Sequence, residues 1–211
     1  MKNQIKEMLN LQDKINEKVH ADWKTQNFEW YRAIWVECAE LLDHYGWKWW
    51  KKQIPNTGQI HLELVDIWHF GLSILLMENN KESCIEIIES TFMLKIEQGD
   101  FKLDLEQFTS DTLITKGFDL KGFFKLMIDI NLTFEDLYVG YISKNVLNTF
   151  RQDNGFQTGT YIKNWGGVED NEYLISLALK LDPNNGSFSS DLYDAMKKAY
   201  KLKVESLYKR K

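Results

Sequence analysis

Between Thr57 and Asn79, apolar residues encircle a helical run almost completely. The break is one narrow lane at helical spacing: Gln59, Glu63, Asp66, His69 or Phe70, and Ser73. A helix that is apolar on nearly every side must be enclosed by other helices. The rest of the chain therefore has to build a bundle around it, and a buried helix that keeps one polar lane lines something wet. The acids of the lane have counterparts upstream, where Glu37 and Glu40 sit among Ile34, Trp35, Val36, Leu41 and Leu42. Each pair, Glu37 with Glu40 and Glu63 with Asp66, has the i, i+3 spacing that places both acids on one helix face. Two carboxylates about 4 Å apart repel by roughly 4 kcal/mol at an effective dielectric of 20, and unpaired charges are expensive to bury. Four acids inside a bundle stay ionised only with cations between them. Arg32 and Lys48 are the nearest basic residues, and neither falls in the acidic lane. If such residues do not neutralise the acids in a salt-bridge network, a metal does. Oxygen-only ligands suit a hard ion such as Mg²⁺, which keeps waters and bridges substrate phosphates. The expectation is a magnesium cluster on Glu37, Glu40, Glu63 and Asp66, in a helical enzyme that acts on a phosphorylated small molecule. His69 extends the lane by a turn and is expected to touch substrate rather than metal.

Composition agrees with an all-α chain: two prolines and twelve glycines in 211 residues, with abundant Leu, Ile, Lys and Glu. That length can bury a sizeable core. The net charge of −5 offers no global basic field for nucleic acid. Cys38 and Cys84 lack zinc spacing and fit a reducing compartment. The N-terminal Met1-Lys-Asn-Gln-Ile-Lys-Glu mixes charged and apolar residues and does not read as a signal peptide. The most apolar run, Ile67 to Met77, is too short to span a bilayer, and extending it takes in Glu63, Asp66 and His69. A cytoplasmic protein with no membrane or nucleic-acid partner is expected. Seven of the eight tryptophans precede residue 70. A tryptophan-rich core accounts for most of them, with a few to wall a pocket for a flat ligand.

Helices are expected over Lys2 to about His20, Glu29 to His44 (ended by Gly46), Thr57 to Asn79 and Lys81 to Gln98. Further helices are expected over Leu103 to Lys116, Leu120 to Asn131, Thr133 to about Asp153, Glu172 to Leu181 and Ser190 to about Lys209. Thr133-Phe-Glu-Asp136 carries a capping pattern. Residues 154–170, rich in Gly, Asn, Thr and Lys, read as a loop. The simplest organisation is one domain over 1–211, with 172–211 a peripheral C-terminal helical section.

A second informative stretch begins at Lys144. Lys144, Asn148 and Arg151 repeat at four and three and share a helix face, and the glycine-rich continuation carries Tyr161 and Lys163. Cationic side chains and exposed amides suit phosphate oxygens. Alone, this would read as an ordinary polar helix end; with the carboxylates, it supplies phosphate donors to a metal site. The basic segment from Lys197 to Lys211 reads as a solvated helix face. No phosphate-binding P-loop, zinc-protease or nucleophile-elbow motif occurs.

Taken together, these segments resemble the dimeric dUTPases, within the all-α nucleoside triphosphate pyrophosphohydrolases that include MazG-like proteins. The resemblance rests on Glu37-x-x-Glu40 and on Glu63-x-x-Asp66 in Glu-Leu-Val-Asp-Ile-Trp-His-Phe. It rests further on Leu11-Gln12-x-x-x-Asn16, on Trp47-Lys-x-Trp50-Lys, and on Lys144-Asn-Val-Leu-Asn-x-Phe-Arg-Gln-x-Asn-Gly. It spans the first helix to about Asn171. The resemblance implies a helical bundle of the all-α NTP pyrophosphatase type that hydrolyses dUTP, and dUDP, to dUMP. Glu37, Glu40, Glu63 and Asp66 would hold two or more Mg²⁺ ions, with Glu37 or Glu40 positioning or deprotonating the attacking water. Gln12, Asn16 and Trp47 would form the uracil pocket, with His69 and Phe70 near the deoxyribose. Lys144, Asn148, Arg151 and Lys163 would reach phosphates, and Asn145 would bond the nucleotide. A homodimer is implied as well. No motif maps onto residues 81–132 or beyond Glu172.

Three rivals remain at this level. One is a related pyrophosphohydrolase with another base preference, such as dCTP. A second is a ferritin-like di-iron protein, suggested by Glu17-x-x-His20 and Asp66-x-x-His69 but in the wrong order along the chain. The third, a noncatalytic helical module, leaves the buried acids unexplained.

Overall fold

The computed structural model describes residues 1–183 and 185–205, and the protein is 70% helical. Nine α-helices and no strand occur among the described residues. They are α1 (Lys2–Val19), α2 (Trp30–Tyr45), α3 (Thr57–Glu78), α4 (Lys81–Phe92), α5 (Phe101–Thr115), α6 (Leu120–Asp129), α7 (Phe134–Asp153), α8 (Asp170–Ala178) and α9 (Phe188–Tyr200). The chain divides into two compact units, Met1–Tyr141 and Ile142–Lys211, with the boundary inside α7.

In the first unit α3 is the central element. It packs most extensively against α2 and also meets α1 and α4, which is why its apolar residues can encircle it. Leu64, Ile67, Trp68 and Leu72 are wholly buried. The Trp68 ring stacks on Phe123 of α6 at 5.1 Å, and its N–H donates to Met8 Sδ of α1 at 3.4 Å. By length and composition α3 could cross a membrane, but 78% of its most apolar window is buried within the protein. Burial in a bundle thus accounts for its hydropathy.

Local chemistry sets the helix ends. Gly46 closes α2 at φ 97°, a left-handed conformation that glycine adopts without a Cβ penalty. The Asn56 side chain caps α3 by accepting from Gln59 N–H. The expected capping pattern opens α7: Thr133 Oγ1 accepts from Asp136 N–H at 3.1 Å, and Asp136 Oδ2 accepts from Thr133 N–H at 3.0 Å. Two expected boundaries move. Helix α4 stops at Phe92 instead of continuing to Gln98. Phe92 still packs on Phe124 and Phe134, whereas Met93 and Leu94 are exposed and would repay no further turn. Helix α5 begins at Phe101 because Asp100 caps it and Phe101 is buried.

Where α3 passes the turn between α5 and α6, Gly71 gives way to Phe118: a Cβ at Gly71 would lie 2.5 Å from Phe118 Cζ. Gly71→Ala is therefore expected to destabilise the protein by about 1–3 kcal/mol through overpacking. A lowered urea midpoint with an unchanged slope would register this.

In the second unit α8 packs against α9, and the buried Trp165 stacks on Tyr173. Residues 154–169 form the expected loop, with one antiparallel bridge between Asn164 and Glu169. The last expected helix is observed as Phe188–Tyr200 followed by a π-helical turn, Lys201–Glu205. Its expected continuation over 206–209 lies outside the described residues.

Candidate active site

The pairing of α2 with α3 brings the acids together. Glu37 from α2 and Glu63 and Asp66 from α3 each place a carboxylate oxygen within 4.8 Å of the others. Glu63 is buried, Glu37 and Asp66 are half-buried, and Glu40 is exposed and outside this group of three. Glu40 still adds its charge to the environment of Glu37. Burial first, then the charges of Asp66 and Glu63 and a hydrogen bond with Glu63, push the Glu37 carboxyl up to about 8. The basic neighbours face elsewhere: Arg32 pairs with Glu29 and Lys48 with Asp43. His44, at the end of α2, brings Nε2 to 3.5 Å from Glu63 Oε1. Spacing could have found it, since His44 continues the α2 face of Glu37 and Glu40 by one turn. A hard divalent cation fits this donor set: oxygen ligands only, net negative charge, and a crowding that drives one carboxyl toward protonation.

Further along the same lane lies a network of amides and hydroxyls. Gln12 and Asn16 of α1 are both buried. The Gln12 amide donates to Asn16 Oδ1 at 3.0 Å and to Ser73 Oγ at 3.1 Å. Its carbonyl accepts from Tyr141 O–H at 3.0 Å and lies 2.8 Å from His69 Nδ1. Asn16 donates to Ser73 Oγ at 2.9 Å. The His69 and Tyr141 rings stack at 4.2 Å. Gln12, Asn16 and His69 are thus brought together as expected. The sequence marks Ser73 only as part of the lane and gives no sign of Tyr141, although Tyr141 precedes Lys144 by one helical turn. The other expected members stand apart from this network. Phe70 is half-buried with its ring 6.1 Å from that of Trp30. Trp47 lies exposed after α2, donating its N–H to Asp43 and meeting Trp50 edge to face.

The second unit gathers its own polar cluster. Arg151 donates through Nε and Nη2 to both oxygens of Asp170, at 2.9 and 2.8 Å. It also reaches Asn148 Oδ1 at 3.4 Å. Lys144 Nζ donates to Asn171 Oδ1 at 3.1 Å, and Tyr161 O–H to Asp170 Oδ2 at 2.8 Å. The face shared by Lys144, Asn148 and Arg151 is therefore real, and it is organised on the N-terminus of α8. Sequence reasoning missed Asp170 and Asn171, because no local spacing links them to α7. Asn145 is buried, and its Nδ2 has no hydrogen-bond partner among the described residues. Lys163 is exposed, close enough to Asp170 for its charge to be felt there.

A helical protein whose carboxylates converge from two adjacent helices belongs to the all-α class, with a group of acids that could hold a cation. Within that class, the family model described as dUTPase matches residues 4–156. The chain belongs to this all-α dUTPase family and is a dUTP diphosphatase. The matched segment contains both acidic pairs, the amide network and the α7 face, and leaves out Lys163 and the last two helices. Enzymes of this kind generally use a divalent metal. Comparison with curated proteins finds no match.

Proposed function

We propose that the protein hydrolyses dUTP to dUMP and pyrophosphate, and dUDP to dUMP and phosphate, with Mg²⁺ as the cation. The observation that carries this reading is the convergence of Glu37, Glu63 and Asp66 within 4.8 Å. These three would hold the metal ions, with Glu40 at the exposed rim completing the set. When bound, magnesium neutralises phosphate charge and lowers the pKa of a coordinated water. Glu37 or Glu40 positions the attacking water and accepts its proton. Glu63, buried, fixes the α3 side of the site, with His44 beside it.

The amide network supplies base recognition. In this reading Gln12 and Asn16 contact the uracil edge, Trp47 contributes to the base pocket, and His69 and Phe70 meet the deoxyribose. Lys144, Asn145, Asn148, Arg151 and Lys163 contact the nucleotide or its phosphates, Asn145 Nδ2 being the buried donor available for one bond. The working form is a homodimer. Buried free thiols at Cys38 and Cys84 suit a reducing cytoplasm.

The test is turnover of dUTP, dUDP, dCTP, dTTP and UTP with Mg²⁺ and in EDTA, resolving monophosphate, pyrophosphate and phosphate. Hydrolysis confined to the deoxyuridine nucleotides and abolished by EDTA is expected. Preference for dCTP would remove the uracil reading and leave the cation site standing; full activity in EDTA would remove the cation. Light scattering on the same preparation should return twice the protomer mass.

A further inference from the structure

An amide side chain cannot by itself tell uracil from cytosine. With its N–H and carbonyl side by side it pairs with O4 and N3–H of uracil. Turned over, it pairs equally well with N3 and the amino group of cytosine. Selectivity needs something that forbids the turn. In this protein the two amides beside the lane, Gln12 and Asn16, share one anchor, and nothing above assigns it a role.

The anchor is Ser73. Its side chain is wholly buried on α3, and its hydroxyl donates to the His69 carbonyl one turn earlier, at 3.1 Å. A carbonyl oxygen can only accept, so the hydroxyl proton is committed to that bond. What Ser73 Oγ then turns toward α1 is lone pairs alone. Both amides answer with nitrogen: Gln12 Nε2 at 3.1 Å and Asn16 Nδ2 at 2.9 Å. The backbone of α3 thus dictates, through one hydroxyl, which way round both amides sit.

The two amides end up with different capacities. Gln12 spends both N–H groups, on Asn16 and Ser73, and its carbonyl meets Tyr141 O–H and His69 Nδ1. That commits both of the amide's donors, while its carbonyl shares the Tyr141 hydroxyl with the Met8 carbonyl, 2.9 Å from that hydroxyl. Asn16 spends one N–H on Ser73 and one lone pair on Gln12, so an amide's second N–H and second lone pair remain to it. One donor beside one acceptor, in a fixed sense, is what the imide edge of uracil requires.

We propose that Ser73 is a positioning residue for base selection: it holds Asn16 in the orientation that reads uracil, with Gln12, both of whose amide hydrogens are committed, as the brace between them. This rests on the uracil-pocket reading given under the proposed function. It adds that the contact belongs to Asn16 and the polarity to Ser73.

The test compares wild type, Ser73→Ala and Asn16→Ala in the full-length enzyme with its metal, each checked for an intact thermal transition. For each protein the KM and kcat for dUTP and the inhibition constant of dCTP against dUTP are measured. Ser73→Ala is expected to raise the KM for dUTP more than it lowers kcat. It should also narrow the dUTP-over-dCTP binding preference by at least about tenfold, because an unanchored amide turns to suit either base. A loss of packing alone would weaken both nucleotides alike and leave their ratio where it was. A wild-type ratio in Ser73→Ala, alongside a collapsed ratio in Asn16→Ala, overturns the positioning role and keeps the pocket. A wild-type ratio in Asn16→Ala overturns the pocket reading and the Ser73 proposal with it.

Discussion

With Glu63 replaced by glutamine, kcat/KM for dUTP in Mg²⁺ is expected to fall at least about 100-fold, while the metal-free protein becomes more stable. Both effects come from one carboxylate. Glu63 is a buried member of the group of three, and a neutral amide there weakens cation binding and phosphate neutralisation together. The same change removes a charge that, after burial and Asp66, holds Glu37 up at about 8 against an ordinary value of 4.5. A carboxyl raised in the folded state contributes stability that is complete below its unfolded pKa and is lost as pH rises through its folded pKa. In EDTA, the wild type should therefore lose melting temperature between about pH 4.5 and 8, and Glu63→Gln should lose less. Added Mg²⁺ should raise the wild-type melting temperature most at the alkaline end. Thermal denaturation across that range, with and without Mg²⁺, measures all of this. Parallel wild-type and variant curves would mean that Glu37 and Glu63 do not share a field; undiminished turnover would remove Glu63 from the site.

Asp170→Ala is expected to cost the second unit about 3–5 kcal/mol, the penalty for leaving a buried charge without its partner. Asp170 is fully buried, accepts both arms of the Arg151 fork, and takes the Tyr161 hydroxyl as well. Its removal takes the carboxylate from a guanidinium that is itself 8% exposed. Burial raises the Asp170 carboxyl, but the bonds and charge of Arg151, the Tyr161 hydroxyl and the charge of Lys163 outweigh it, so the net direction is below 3.8. The stability it contributes is present above the unfolded value and disappears as pH falls through the lower, folded one. Wild type should accordingly hold this unit together down to mildly acidic pH and lose it below about 3.8. Amide hydrogen exchange read by peptide would show faster exchange in α8 and in the 154–169 loop of the variant, with α1–α6 little changed. Equal acceleration in both units would show that the pair stabilises more than its own unit.

Most of the bundle was legible because helix periodicity and helix ends are local. Gly46, Asn56 and the Thr133–Asp136 pair did in the structure what their residue types do anywhere. The end of α4 was not legible, since Met93, Leu94 and Ile96 continue an apolar pattern that only tertiary packing cuts short. In the site, the i, i+3 acids announced themselves because charge inside an apolar run has few explanations. Ser73 and Tyr141 did not: a serine in a polar lane looks like filler until its hydroxyl is seen between two amides of another helix. Arg151 read as a phosphate ligand from its face and company; that Asp170 already grips it depends on a loop closure that no spacing encodes.

Carrying Glu63, Asp66 and Ser73 on one helix also has a metric consequence. Glu63 and Asp66 precede Ser73 by about 10–15 Å along the axis at roughly 1.5 Å per residue, with each residue turning the helix by about 100°. If the proposed base and metal sites hold, helix α3 acts as a ruler that keeps the two a fixed distance apart along one stiff rod. One residue inserted or deleted between Ile67 and Leu72 would turn the two ends of the lane out of phase while leaving every functional side chain in the sequence.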